Sequence, residues 1–331
     1  MSTRILRWGL LGTANINRVI IAALGSSARN RLTAVASRDG ERGRAYAAKW
    51  QIPQSFGSYE SLLADPDIDV VYISLPNRLH AEWTVKAAQA GKHVLCEKPL
   101  AVTVEEVDAI AAAAKAAGVV VAEALMYRHD PLTLKVKEIV DSGALGQLRL
   151  VRGAYTFDIS KRPTDIRLRG DLFGGSVRDV GIYPISYTRY ILGAEPSEVF
   201  GWQIVGAGGV DEVFAGQMRF PGDIFAQFDC GFRVPQRNHI EISGSTGELT
   251  VPSPFKPGLH EQIFLARGDQ VETIDVAGQQ LYLGEVEDLA DAILEGKPQR
   301  IPLSWSRDNV ATLCDLLRSA ATGQPVKTQR S

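Results

Sequence analysis

The chain has 331 residues, 45 % apolar and 22 % charged, with a net charge of −2 and no Lys/Arg block. That is the balance of a soluble globular protein long enough for two cores, and it excludes a nucleic-acid or membrane-surface role driven by bulk charge. No uncharged apolar run approaches the ~20 residues that span a bilayer, the start "MSTRILRWGLLG" lacks the features of a secretion signal, and three scattered cysteines fit a reducing compartment, so a cytoplasmic protein is expected.

Up to about residue 125, short apolar runs alternate with helix-like segments. "RILRWGLLG" precedes "INRVIIAAL", "RLTAVAS" precedes "GERGRAYAAKW", "DVVYISLP" precedes "LHAEWTVKAAQAG", and "HVLCE" precedes "TVEEVDAIAAAAKAAG", before "VVVAEAL" closes the series. Nearly continuous apolar strands separated by helices predict a parallel sheet covered on both faces. Thr103 and Glu106 have capping-box spacing, and Gly118 stands where a C-terminal cap is expected.

From about residue 147 the rhythm changes to successive short strands, from "QLRLVRGAYTF" to "GELTV", divided by Gly, Pro and Asp turns. They predict a largely antiparallel sheet. Helices return in "EVEDLADAILEG" and "RDNVATLCDLLRSA". The expected division is a first domain over 1–127 and a second over 128–331.

The first strand ends in "GLLGTANIN", where the G-x-G-x-x-G positions hold Gly12, Ala14 and Asn17. Only one is glycine, so the turn alone is a weak fingerprint; its place at the head of the alternating pattern strengthens it. The second strand ends in Ser37, Arg38 and Asp39, followed by Arg42. A hydroxyl and a guanidinium suit a 2′-phosphate, which favours NADP(H). Asp39 could instead turn inward to the ribose and serve NAD.

The phrase "CEKPLA" brings a strand to an end on Glu97, Lys98 and Pro99. Together with "LPNRLHAEWTVKAAQAGKHVLCEKPLA" and "IRLRGDLFGGSVRDVGIYPISYTRYILG", it makes nearly the whole chain resemble the glucose–fructose oxidoreductase/inositol dehydrogenase (Gfo/Idh/MocA) family. The resemblance implies an N-terminal Rossmann domain and a C-terminal α/β domain on a largely antiparallel open sheet, often the oligomer interface, so a homodimer or homotetramer is expected. It implies hydride transfer between a nicotinamide cofactor and a sugar or cyclic polyol. Lys98 is then the lysine that points into the active site and stabilises charge on the reacting oxygen, with the peptide before Pro99 possible in the cis form.

Many members carry D-x-x-x-H, where this chain has Asp179 and Tyr183. Tyrosine stands there in the branch with xylose and dihydrodiol dehydrogenases and sugar ketoreductases. A spacing of four puts both side chains on one helix face. A phenol with a reference pKa of about 10 is a poor base at neutral pH, and the Lys98 ammonium would lower that value. Tyr183 would then relay the proton, while Asp179 orients Lys98 or the substrate hydroxyl.

By the same resemblance Gly12, Thr13, Ala14, Asn15, Ile16, Ser74, Leu75, Pro76, Asn77, His80 and Glu97 lie along the cofactor, and Arg167 contacts cofactor or substrate. His80 reads equally well as a satisfied helix-start imidazole. Tyr282 is a candidate for the substrate pocket, and no metal site is expected. The expected activity is that of an NADP(H)-dependent aldose 1-dehydrogenase of the D-xylose or D-glucose type. Keto-sugar reduction and trans-dihydrodiol oxidation are the alternatives, and a non-catalytic NADPH sensor is the alternative of another class.

Overall fold

In the structure, a computed structural model that describes residues 4–328, the apolar runs of the first half become strands. These are β1 (Leu6–Leu11), β2 (Asn30–Ala36), β3 (Gln54–Phe56), β4 (Val70–Ile73), β5 (His93–Glu97) and β6 (Val121–Ala124). They form one parallel sheet in the order β3-β2-β1-β4-β5-β6. Every residue of β4 and β6 is buried, as a sheet covered on both faces requires. The chain order reverses at β1, so the carboxyl ends of β1 and β4 flank the crevice where such sheets bind ligands.

The connecting helices are α1 (Asn17–Ser26), α2 (Gly40–Trp50), α3 (Tyr59–Leu63), α4 (His80–Gln89) and α5 (Val104–Ala117). α5 starts as its sequence predicts, with the Thr103 hydroxyl accepting the Glu106 N–H at 3.3 Å. The return arm is displaced by one residue, because the Glu106 carboxylate accepts from the N–H of Val102 at 2.8 Å. Gly118 ends the helix at φ 66°, a left-handed conformation that glycine adopts without strain.

The second half contributes α6 (Pro131–Asp141), β7 (Leu148–Thr156), α7 (Ile182–Leu192), β8 (Glu198–Val205), β9 (Asp211–Phe220), β10 (Ile224–Gly231), β11 (Arg237–Gly244), β12 (Glu248–Val251), β13 (His260–Arg267) and β14 (Gln270–Ala277). After α8 (Leu283–Glu295) and α9 (Leu303–Thr322), the short β15 (Val326–Lys327) completes a nine-stranded sheet in the order β14-β13-β12-β11-β7-β10-β9-β8-β15. All pairs are antiparallel except β7 with β10. One face buries Phe214, Met218, Phe228 and Ile240. The other leaves Trp202 59 % and Phe225 50 % exposed.

The chain forms two compact units. One holds the chain up to His129 together with Tyr282–Arg307, and the other holds Asp130–Leu281 and the chain from Asp308 onward. The division expected at 127/128 leaves α8 in the second domain, whereas its contacts place it in the first unit. Val286, Leu289 and Ala290 are buried on its apolar face, and Arg29 just before β2 holds Glu287, Asp291 and Glu295 along its length. An amphipathic helix goes where its stripe is covered.

Candidate active site

In the first unit, β1 hands over to α1 through Gly12, at φ 101°. A Cβ here would sit 3.0 Å from a methyl of Leu75, so glycine serves both the conformation and the close approach. The buried Asn17 side chain donates to the Gly12 carbonyl at 2.9 Å and closes the turn over Thr13, Ala14, Asn15 and Ile16. The first turn of α1 carries no acidic residue and no side-chain cap. That is the setting of an anion at a helix N-terminus.

At the end of β2, Ser37 is buried, its N–H bound to the Phe56 carbonyl at 3.1 Å. Asp39 does not turn toward the strand end. It is the N-cap of α2, one carboxylate oxygen accepting from the N–H groups of Glu41 at 3.0 Å and Arg42 at 3.1 Å. The alternative that Asp39 serves a ribose hydroxyl therefore competes with a formed cap. Sequence reasoning missed Tyr59, which is buried edge-on against Trp83 at 4.8 Å. Burial raises the pKa of its phenol, and interactions with Arg38 and Arg42 work against that rise.

After β4 the chain runs through Ser74, Leu75, Pro76 and a single turn at Asn77–Leu79 into α4. His80 is only 1 % exposed, with Nδ1 2.7 Å from the Pro99 carbonyl and Nε2 2.7 Å from the Leu75 carbonyl. Two acceptors favour the imidazolium, but burial outweighs them and lowers its pKa. This is the arrangement of a satisfied helix-start imidazole. It ties the loop after β4 to the segment after Lys98.

β5 ends on Glu97 and Lys98 follows, both half-buried, and the Lys98–Pro99 peptide is cis. The chain beyond is fixed by the Leu100 N–H, which donates to the buried Glu123 carboxylate at 3.0 Å. One Glu97 oxygen accepts a hydrogen bond from Tyr72, and the other accepts from the Lys98 N–H at 3.3 Å. Nearby on α8 lies Glu285, 2 % exposed, with neither carboxyl oxygen hydrogen-bonded among the described residues. Burial and then the Glu97 charge push its carboxyl far above the usual range. The Tyr72 phenol is raised by burial, Glu97 and Glu285. Tyr282, just before α8, is buried beside this group and acts on the same phenol. Tyr72 and Glu285 escaped the sequence reading; the available signal was a glutamate on the otherwise apolar stripe of α8.

In the second unit, Asp179 and Tyr183 do not share one regular helix. Val177–Gly181 is a π-helical turn, and α7 begins only at Ile182. The pair straddles that junction, a feature common at functional sites. Tyr183 is 4 % exposed, with Tyr155 at 5.2 Å and Phe255 at 5.8 Å between ring centres. Asp179 receives Nε of Arg167 at 2.7 Å, and the same guanidinium reaches Asp165 at 3.2 Å. The Asp179 charge is the main reason that the Arg167 pKa rises. Arg167, expected on cofactor or substrate, is thus committed to two carboxylates. No spacing rule signals that pairing.

A dinucleotide-type parallel sheet joined in sequence to an open mixed sheet defines a two-domain oxidoreductase class. Residues 6–125 match the family described as "Oxidoreductase family, NAD-binding Rossmann fold", and residues 133–250 match the GFO/IDH/MocA C-terminal domain. The chain belongs to the Gfo/Idh/MocA family and is an oxidoreductase. It is 35 % identical to D-xylose 1-dehydrogenase (NADP(+)) 2 of Haloferax volcanii over 325 residues, 97 % of this chain and 99 % of that one. Its fold matches aldose-aldose oxidoreductase of Caulobacter crescentus, solved with glycerol, with a TM-score of 0.90 at 28 % identity, covering 98 % and 100 % of the two chains. A 3-ketoreductase of Actinomadura kijaniata, solved with NADP and TDP-benzene, matches with a TM-score of 0.90 at 28 % identity, covering 96 % and 98 %. Among the described residues, no helix is long and apolar enough to cross a membrane.

Proposed function

We propose that the protein is an NADP(H)-dependent oxidoreductase of sugars or cyclic polyols, and in the first place an aldose 1-dehydrogenase of the D-xylose or D-glucose type. The observation that carries the reading is the pairing of Asp179 with Arg167 on the turn that leads into Tyr183. A fixed carboxylate four residues before a phenol is a proton-handling arrangement. The named activities of the Haloferax and Caulobacter proteins support an aldose as substrate. The Actinomadura protein supports a keto-sugar reductase as the second reading.

NADP⁺ is the preferred cofactor because the Asp39 carboxylate is engaged as a helix cap, leaving Ser37 and Arg38 to meet a 2′-phosphate. Gly12 to Ile16 lie along the pyrophosphate, and Ser74 to Asn77 along the rest of the cofactor. Bound NADP⁺ supplies the hydride acceptor. In the oxidative direction Tyr183 takes the proton of the C1 hydroxyl while hydride leaves C1, so an aldose and NADP⁺ give a lactone, NADPH and one proton. Lys98 polarises the reacting oxygen, and Asp179 orients the substrate hydroxyl. The apolar open face around Trp202 and Phe225 supports a homodimer or homotetramer.

Lys98→Ala and Tyr183→Phe are each expected to lower kcat by about 10²–10⁴, with NADPH binding retained by fluorescence titration. Full turnover in both variants contradicts the assignment.

A further inference from the structure

Asp179 sits inside a π turn, a backbone form that persists only where its surroundings hold it. The grip comes from outside the helix. Asp211, the first residue of β9, is 3 % exposed, and one of its carboxylate oxygens accepts from the Ser176 hydroxyl at 2.6 Å and the Val177 N–H at 2.7 Å. These are the residues at which the turn begins. Just before them Gly175 has φ 105°, and a Cβ there would lie 2.3 Å from the other Asp211 oxygen. At the far end Gly181 rests on Cys230 of β10, where a Cβ would come within 2.8 Å of the sulfur.

We propose that Asp211 is the positioning residue for Asp179 and Tyr183: its buried carboxylate fixes the start of the π turn and so sets the angle between the two side chains. This rests on the role proposed above for that pair. Without the carboxylate, the Ser176 hydroxyl and Val177 N–H lose their acceptor in a buried place, a costly state. Nothing then holds the start of the turn against rewinding as regular α-helix, in which each residue of register rotates a side chain by about 100° around the axis. Asp179 would then leave its relation to Tyr183 while the rest of α7 stays packed. Burial raises the Asp211 carboxyl, opposed by the bonds from Ser176 and Val177 and by the Arg178 charge. Only its accepting oxygen is needed for the grip.

The test compares Asp211→Ala, Asp211→Asn and Ser176→Ala in the full-length enzyme. It reads kcat, KM for NADP⁺, NADPH binding by fluorescence, and the urea midpoint. Asp211→Ala is expected to lower kcat about a hundredfold, the scale of a roughly 1 Å misplacement, with KM for NADP⁺ and NADPH affinity unchanged. An asparagine amide oxygen accepts both bonds, so Asp211→Asn should restore most of the lost kcat. Ser176→Ala, which removes one of the two bonds, should fall between.

Wild-type kcat in Asp211→Ala overturns the inference, as does an Asp211→Asn variant as slow as the alanine. Loss of NADPH binding in parallel with kcat overturns it too. If Asp211→Ala shows no folding transition, Ser176→Ala decides: lowered kcat at unchanged NADPH affinity supports the inference and wild-type kcat refutes it. Tyr183→Phe in the same assay separates the two proposals. A fully active Tyr183→Phe removes the reading of the site, whereas an inactive Tyr183→Phe beside a fully active Asp211→Ala removes only the role of Asp211.

Discussion

The strand end at Lys98 and the turn at Asp179 each present a charged side chain, but they are supported by opposite means. Beside Lys98 the support is a group of buried Tyr72 and Glu285 with half-buried Glu97, in which burial pushes the Glu285 carboxyl far above the usual range. Beside Asp179 the support is an ion pair with Arg167, whose side chain remains 40 % exposed. Inside the low-dielectric interior a charge is managed by neutralising its neighbours; near water it is managed by a counter-ion. The first arrangement should resist salt, and the second should weaken in it.

The largest effect is expected where a half-buried carboxylate loses its donor. Tyr72→Phe removes the phenol bound to Glu97 and should cost about 1–3 kcal/mol of stability, measured by urea unfolding. A cost near zero would mean that the acids beside Lys98 are solvated rather than buried. Arg167→Met should come next. Bonds to charged groups contribute about 1.5–3 kcal/mol, discounted here to roughly 1–2 kcal/mol for the exposed guanidinium. The variant should also lose more of its kcat than of its NADPH affinity, and the wild-type stability gain should shrink in high salt. A salt-independent difference would break the contrast between the two supports.

The third effect, absent in acid, is the most diagnostic. The folded-state pKa of Glu285 is raised above its unfolded value. Its contribution is therefore fully present below the usual carboxylate range, where both states hold the proton, and is lost as pH rises toward the folded value. Glutamine keeps the neutral shape and does not titrate. Glu285→Gln should accordingly match the wild type in acid and become progressively more stable than it from the usual carboxylate range upward. Urea midpoints taken across pH measure this, and a pH-independent difference would show that Glu285 is ionised in the folded protein.

What could be read from sequence followed local rules. The alternation of apolar runs and helices carried the parallel sheet, Thr103 and Glu106 marked the start of α5, and the turn at Gly12 fell where φ is positive. Elements without a strong local pattern stayed hidden. β3 has three residues and no apolar run, and β13 and β14 mix polar and apolar side chains through an exposed edge. The site shows the same limit. Lys98 and Tyr183 stood out in motifs, but the π turn depends on Asp211 from a later strand, and Glu285 arrives on a helix that returns from the far end of the chain. His80 stood in a cofactor-edge motif, yet tertiary packing enclosed it between two carbonyls.

Cofactor reduction followed by absorbance, with NADP⁺ and NAD⁺ in parallel across pentoses, hexoses, inositols and a trans-dihydrodiol, tests the central claim most directly. The account predicts turnover with an aldose and a marked preference for NADP⁺, as the capped Asp39 and the Ser37–Arg38 pair require. No turnover with any alcohol or with keto-sugars and NADPH, in protein that binds NADPH, would contradict it and leave a nucleotide sensor in its place.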